Sequence, residues 1–345
     1  MRGRSRGVLL AAIVLVVVVA VVIVAVNEGR RTHAEINAPT DVTRAAAGAF
    51  DGRPRIVFRS TAPGQLFGKV SVVALDDPQG PRDVTDVACD RVDAIDGRAS
   101  CLRTERSVLT SFAAIMLDGS WQEVSRWPLP GIPSRTRLSP DGTRVTTTAF
   151  VTGHSYSTAG FSTETVIHGL EDPAAPRDLG NIEFYTLTVD GATIAPVDRN
   201  MWGITFVDDT TFYATTQSTT LGKTWLVRGN AADQTLEAIA EGVECPSLSP
   251  DRTRLAFKAT TATRGGTPHW TPAVLDLGTG QVTVLTGERT SLDDQIAWLD
   301  DDTILYGLPR ADQAGVTDVW ALSATRPDAT PELFLPQAWS PAIIR

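Results

Sequence analysis

Hydrophobic positions along this chain fall into two regimes. Residues 8–26 (VLLAAIVLVVVVAVVIVAV) are one uncharged apolar run. As a helix rising ~1.5 Å per residue it spans ~28 Å, close to the ~30 Å hydrocarbon core of a bilayer. Beyond it the apolar runs are short, alternating or β-branched, as in Ile56-Val57-Phe58, 70–75, 112–117, 211–214, 255–257 and 303–306. Gly, Pro and Asp interrupt them every few residues, and helical periodicity is almost absent. The pattern predicts an all-β body preceded by a single N-terminal transmembrane helix.

The strands recur at a fixed interval. Asp51-Gly52 precedes RPRIVF, Asp96-Gly97 precedes RASCL and Asp141-Gly142 precedes TRVTTTAF, each 45 residues after the last. Variants follow at Asp208-Asp209, Asp251-Arg252 and Asp301-Asp302, which makes six turns. A period of ~40–50 residues with several short strands per unit marks the blades of a propeller. One blade cannot bury both of its faces, whereas six stacked around an axis cover one another. The C-terminal WSPAIIR, 339–345, repeats the opening of a blade without its turn. It is expected to lend a strand to the N-terminal blade and close the ring. The interval from Asp141 to Asp208 is 67 residues, so an insertion is expected within 154–202.

At Leu138-Ser139-Pro140-Asp141-Gly142-Thr143-Arg144-Val145 and at Leu248-Ser249-Pro250-Asp251-Arg252-Thr253-Arg254-Leu255 the chain resembles the TolB-like, PD40-type propeller repeat. The likeness extends over residues 45 to 345 and is specific for fold rather than activity. It implies a six-bladed protein of the bacterial envelope that works by binding other proteins. Two departures set the chain apart: there is no separate N-terminal α/β domain before the propeller, and an apolar span takes its place, so a role in the Tol–Pal system is not carried over.

Arg2, Arg4 and Arg6 precede the apolar run and argue for a cytoplasmic start. The run exceeds the ~7–15 residues of a secretory h-region and lacks a clean A-x-A exit, which favours a retained signal anchor over a cleaved signal. The reading divides the chain into a cytoplasmic tail (1–7), an anchor (8–26), a linker (27–44) and an extracytoplasmic propeller (45–345), in a single-pass protein of the cell membrane. Beyond Arg31 the chain holds 26 basic and 39 acidic residues, a net charge of −13, and such a surface repels nucleic acid.

In this architecture the turns between first and second strands lie on one face of the disc, here the turn face. The blade-to-blade connectors and the second-to-third-strand loops lie on the other, the loop face. The loop face is expected to collect the binding candidates His154, Tyr156, Trp202, Glu244, His269, Asp293 and Asp294, because loops on a rigid scaffold are where function concentrates. Asp293-Asp294 lacks the D-x-D-x-D-G setting of a cation loop, and the four histidines lack metal-ligand spacing. No metal or other cofactor is expected. Gly153-His154-Ser155-Tyr156-Ser157 misses the G-x-S-x-G elbow by one residue and does not open a helix. The run Asp300-Asp301-Asp302 reads as turn chemistry, and most of the eight tryptophans read as blade packing.

Three cysteines outside the cytoplasm imply one disulfide and one thiol. Cys89 and Cys101 are closest in sequence, but in a regular hairpin Cys101 lies opposite Val92 and ~10 Å from Cys89, too far without a bulge. The pair is the candidate disulfide, leaving Cys245 free and partly buried. The leading functional expectation is a non-catalytic module binding an envelope protein or a cell-wall ligand, tethered through its N-terminal helix. The alternatives are a propeller hydrolase or lactonase using Asp293, Asp294, Glu244 or His154 at the channel mouth, and a sensory ectodomain working with a membrane partner.

Overall fold

The structure, a computed structural model, describes residues 40–345 except 108, 155 and 157–159. The anchor, the tail and most of the linker lie outside the described residues. Among the described residues no helix is long and apolar enough to cross a membrane.

Six sheets surround an axis, antiparallel but for one parallel pairing in the fourth. Counting outward from the axis, blade 2 is Arg91–Ile95, Arg98–Glu105, Ser111–Asp118 and Glu123–Pro128. Blade 3 is Ile132–Leu138, Arg144–Thr152, Ser162–Gly169 and Arg177–Asn181, and blades 4, 5 and 6 follow in the same way from Arg199, Glu244 and Ala297. Blade 1 is composite. Its innermost strand, Ala338–Ile344, is the last of the chain and pairs antiparallel with Arg55–Ser60, from Arg55 opposite Ile344 to Ser60 opposite Ala338. The closure expected of 339–345 is therefore realised, and it satisfies a strand edge that would otherwise be bare.

The repeat sequence makes its turn through side-chain chemistry. Asp141 accepts from the Thr143 amide at 3.0 Å and from Ser139 Oγ, which in turn receives the Arg144 amide at 2.9 Å. Asp251 repeats the arrangement with Thr253, Ser249 and Arg254. The fourth turn residue needs positive φ, supplied by Gly142 at +72°, and Arg252 adopts +61° in the second copy.

The hydrophobic core is a ring of layers between blades rather than one central mass. Val57, Val72 and Ile344 of blade 1 face Ala99, Ile115 and Leu117 of blade 2, and Ile56, Phe58 and Val73 face Leu305 and Val319 of blade 6. Equivalent layers join blades 3 to 4, 4 to 5 and 5 to 6. The layer between blades 2 and 3 is thinner and split in two, Leu102, Ala114 and Ala149 in one part and Met116, Val145 and Leu170 in the other.

The insertion falls inside 154–202 as the spacing predicts. After blade 3, a 3-10 turn at Ile182–Phe184 leads to a hairpin, Thr186–Val189 and Ala192–Ile194, that extends blade 4 to six strands by parallel pairing with Thr235–Glu241. Glu183 is buried in that turn, accepting from the Thr165 amide at 3.0 Å and from Thr163 Oγ1 at 3.1 Å. Burial outweighs these bonds and pushes its carboxyl up to about 8.

Cys89 and Cys101 are joined, with Cα atoms 5.5 Å apart. Cys101 does pair with Val92 as the hairpin reading requires. Cys89, however, is not an extension of the blade 2 strand. It belongs to the connector from blade 1, held by its amide to the Gly68 carbonyl, and the chain turns back before Arg91. The link thus ties neighbouring blades, and Cys245 is the free, fully buried thiol.

Ile344→Ala, which opens the blade 1–2 layer at the closing strand, is expected to lower unfolding free energy by about 2–5 kcal/mol in denaturant titration. Because native Glu183 holds its proton more tightly than the unfolded chain, its contribution is full below the unfolded carboxyl value and is lost as pH rises from 4.5 to about 8. Glu183→Gln should flatten the fall in melting temperature across that window; an unchanged pH profile would contradict the assignment.

Candidate functional site

Five of the candidate residues, from blades 3 to 5 and the connector to blade 6, meet near the axis, where four of the six innermost strands are bulged. Register slips occur between Pro133 and Arg135, Trp202 and Thr205, and Glu244 and Ser247, and between Trp339 and Ala342 against blade 1's second strand. Gly203, Cys245 and Ser340 take positive φ there. A Cβ on Gly203 would lie 2.6 Å from the Cys245 Cα, so only glycine fits. Bulges of this kind re-aim side chains, here inward.

What they aim inward is a plug. Tyr156, on the second-to-third-strand loop of blade 3, lies over the axis. Its ring packs 5.0 Å from Trp202, 4.8 Å from Phe150 and 5.5 Å from Phe161, and its hydroxyl bonds Ser134 Oγ at 2.6 Å. Beneath it Lys258 is completely buried, its Nζ 2.9 Å from Asp293 Oδ1 and 4.1 Å from the Trp270 ring centre. Trp270 Nε1 donates to Glu244 Oε1 at 2.9 Å, and Thr260 Oγ1 donates to the same oxygen at 3.2 Å. Asp294 receives the Gly307 amide at 3.2 Å and faces Arg91 at 3.4 Å and Arg135 at 4.0 Å. The Arg91 guanidinium stacks 3.8 Å from the Trp339 ring centre.

Burial sets the charge states. It pushes Arg91 down to about 9, with the neighbouring Arg135 adding to the fall. It pushes Tyr156 up to about 12 and raises the Cys245 thiol, which therefore stays protonated. For Lys258 burial opposes the charge, but acidic neighbours, Asp293 and Glu244 among them, more than offset it, so the ammonium titrates above its ordinary value.

The structure gathers Tyr156, Trp202, Glu244 and Asp294 as packed interior rather than an open surface, with Asp293 exposed at their edge. Trp202 has no exposure, so the ligand contact expected of it is replaced by packing against Tyr156 and Phe161. His154 is exposed, and His269 is half-buried on the third strand of blade 5. Among the described residues no three His, Cys, Asp or Glu side chains converge as metal ligands. Beyond the plug a 20 Å³ cavity lies between Arg91, Arg135, Arg137 and Gln295, and the axis then widens on the turn face into a 300 Å³ funnel bearing Arg137, Arg252, Arg345 and Trp298.

The cations of the plug are what the candidate set missed. Arg59 and Lys258 occupy the same blade position, in Ile56-Val57-Phe58-Arg59 and Leu255-Ala256-Phe257-Lys258. A charge closing an apolar strand run was their available signal.

No family model matches the sequence, and no curated protein matches it. Among solved structures, TolB from Acinetobacter baumannii superposes with a TM-score of 0.53 at 16% identity, covering 85% of this chain and 67% of that one. The chain has a propeller fold like that of TolB. A puromycin-hydrolyzing peptidase from Mycobacterium tuberculosis follows at a TM-score of 0.47 and 13% identity, and this chain spans about half its length, 48%. An oligogalacturonate lyase from Vibrio parahaemolyticus stands at 0.46 and 11%, covering 73% of this chain and 71% of that one. At these identities the likeness is one of fold alone.

Removing Asp293 from the TolB-like propeller leaves the Lys258 ammonium buried with less compensation, whereas Lys258→Met removes the buried charge itself. Asp293→Ala is expected to cost about 1–3 kcal/mol and Lys258→Met less, read from chemical denaturation. The reverse order would show that the ion pair does not hold the plug.

Proposed function

We propose that this protein is a membrane-tethered, extracytoplasmic propeller that acts by docking another envelope protein on its loop face, without catalysis. The observation that carries the reading is the placement of exposed apolar side chains. Phe67, Leu109, Ile132, Val151, Val197 and Leu221 lie on the loops and strand ends of the loop face across blades 1 to 4, with Leu109 80% exposed and Val197 wholly so. Of the remaining large exposed apolar residues, Val124, Ile239, Val282 and Leu333 sit on the fourth strands of their blades and Phe184 on the 3-10 turn after blade 3. Concentration of exposed apolar groups on one face of a soluble fold marks an interaction surface.

The carboxylates considered for hydrolysis support the same reading. Glu244 and Asp294 are buried and already accept from Trp270, Thr260 and Gly307. Tyr156 closes the channel above them. The tether rests on the apolar run at 8–26 with its basic flank.

The test is cross-linking and affinity capture from membranes with the wild type and a Leu109→Ser, Val197→Ser, Leu221→Ser variant, whose exposed positions leave the core intact. The expected result is a partner held by the wild type and lost by the variant, with both proteins remaining in the membrane after an alkaline wash. Equal capture by the two chains would remove the docking face, and release by the wash would remove the tether.

A further inference from the structure

Blade 5 carries a two-stranded ribbon that stands clear of the loop face. Its second strand runs from Arg254 to Arg264, six residues past Lys258, whereas the matching strand of blade 1 ends at Ser60, one residue past Arg59. At ~3.3 Å per residue the length beyond Lys258 is ~20 Å. Gly265 and Gly266, at φ of +58° and +83°, turn the chain back, and the ladder holds Arg264 opposite Thr267, Thr263 opposite Pro268 and Ala262 opposite His269. Residues 260–267 are all exposed. The innermost strand of blade 5 pairs with the second only as far as Lys258, opposite Glu244. Above the plug, the ribbon therefore has no third strand on its inner side among the described residues, and two strands alone make a marginal sheet.

The two edges of the ribbon are not alike. On the outer edge the Trp270 carbonyl receives the Leu292 amide at 3.0 Å, the Trp270 amide donates to Ser291 Oγ at 3.1 Å, and the Pro272 carbonyl receives the Leu285 amide at 2.8 Å. Backbone groups of an antiparallel strand alternate in direction, so residues 268, 270 and 272 all face outward, and Pro268 and Pro272 have no N–H to offer. Prolines and a covering loop are devices that close a strand edge. On the inner edge the residues paired with these face the axis instead, Thr260 opposite Trp270 and Thr263 opposite Pro268. Among the described residues no proline or covering segment closes that side. Thr261 bulges between the two, but its hydroxyl is spent across the ribbon on the His269 carbonyl and Thr271 Oγ1.

An edge of this kind specifies the chemistry of its occupant. Amides and carbonyls repeating at strand spacing are matched by the backbone of another extended segment, and side chains then decide which segment. Arg264 at the tip is exposed and has no ion-pair partner among the described residues, which favours an acidic residue opposite it. A second copy of the chain would bring its own net charge of −13 against the first and is disfavoured. The ribbon also carries the exposed apolar set of blades 1 to 4 on to the next blade, beside Leu221 of blade 4. We infer that the protein docked on the loop face contributes an extended segment of about five residues, one of them acidic, which pairs with Thr260–Arg264 as a third strand of the ribbon. The inference rests on the docking face proposed above and names how its occupant is held.

The experiment is photo-cross-linking of the full chain in its own membranes, with p-benzoylphenylalanine placed in turn at Ala262 and Arg264, which project from the same side of the ribbon. The two probes are expected to mark one continuous segment of a single other protein at positions about two residues apart, the spacing of a strand. Thr263→Pro removes the inward N–H without taking a rung from the ribbon, and should cut the yield from the Ala262 probe about tenfold. Thr263→Val, which keeps the N–H, should leave it near the wild-type level. Should Thr263→Pro fail to fold, Arg264→Glu at the exposed tip carries the test, with a severalfold fall expected. No adduct, adducts with a second copy of this chain, marks scattered or spaced as on a helix, or equal yields from the folded Thr263→Pro and Thr263→Val variants would each overturn the pairing. The Leu109→Ser, Val197→Ser, Leu221→Ser variant separates the two readings. Loss in that variant with Thr263→Pro unaffected would remove the strand and leave the apolar docking face, and loss with Thr263→Pro alone would do the reverse.

Discussion

Every blade of this protein has two faces to cover and none can cover both alone, so the structure depends on the completeness of the ring. The decisive contact is the pairing of Arg55–Ser60 with Ala338–Ile344, which makes the first blade out of both ends of the propeller. Through it the blade 6–1 layer of Ile56, Phe58 and Leu305 and the blade 1–2 layer of Val57, Ile115 and Ile344 become continuous. Backbone hydrogen bonding supplies the register there, and apolar burial on both faces supplies the stability.

Ring geometry also explains why the axis is polar. Six innermost strands converge with limited room, and bulges in four of them turn side chains toward a shared space. Guanidinium, ammonium and carboxylate groups brought there are shielded from water, and they are tolerated because ring faces and fixed donors surround them: Arg91 on Trp339, Lys258 on Trp270, and Asp294 on the Gly307 amide. The resulting plug is packed and hydrogen-bonded, and exposed apolar residues lie around it on the same face.

Much of the fold was legible in sequence because its signals are local. The Ser-Pro-Asp turn, the interval of 45 residues and the orphan strand at 339–345 each announce themselves within a few residues, and so does the long interval that hosts the inserted hairpin. The plug was half legible. Its acids and aromatics were picked out by chemistry, but their burial follows from the superposition of six strands, which no single segment encodes, and Arg91, Arg135 and Lys258 went unnoticed for that reason. The disulfide geometry misled because Cys89 was assigned to the wrong blade.

The composite first blade fixes an order of events in time. Its closing bonds join residues roughly 290 positions apart, a contact of very high sequence separation that forms late, while the hairpins within blades are local and form early. Until the final strand arrives, Arg55–Ser60 presents an open edge, and blades 1 and 6 each lack a cover. That intermediate would be prone to pair with its own kind. The Cys89–Cys101 link spans only 12 residues and fastens blades 1 and 2 without the closing strand, so oxidation stabilises the very segment whose edge that strand covers.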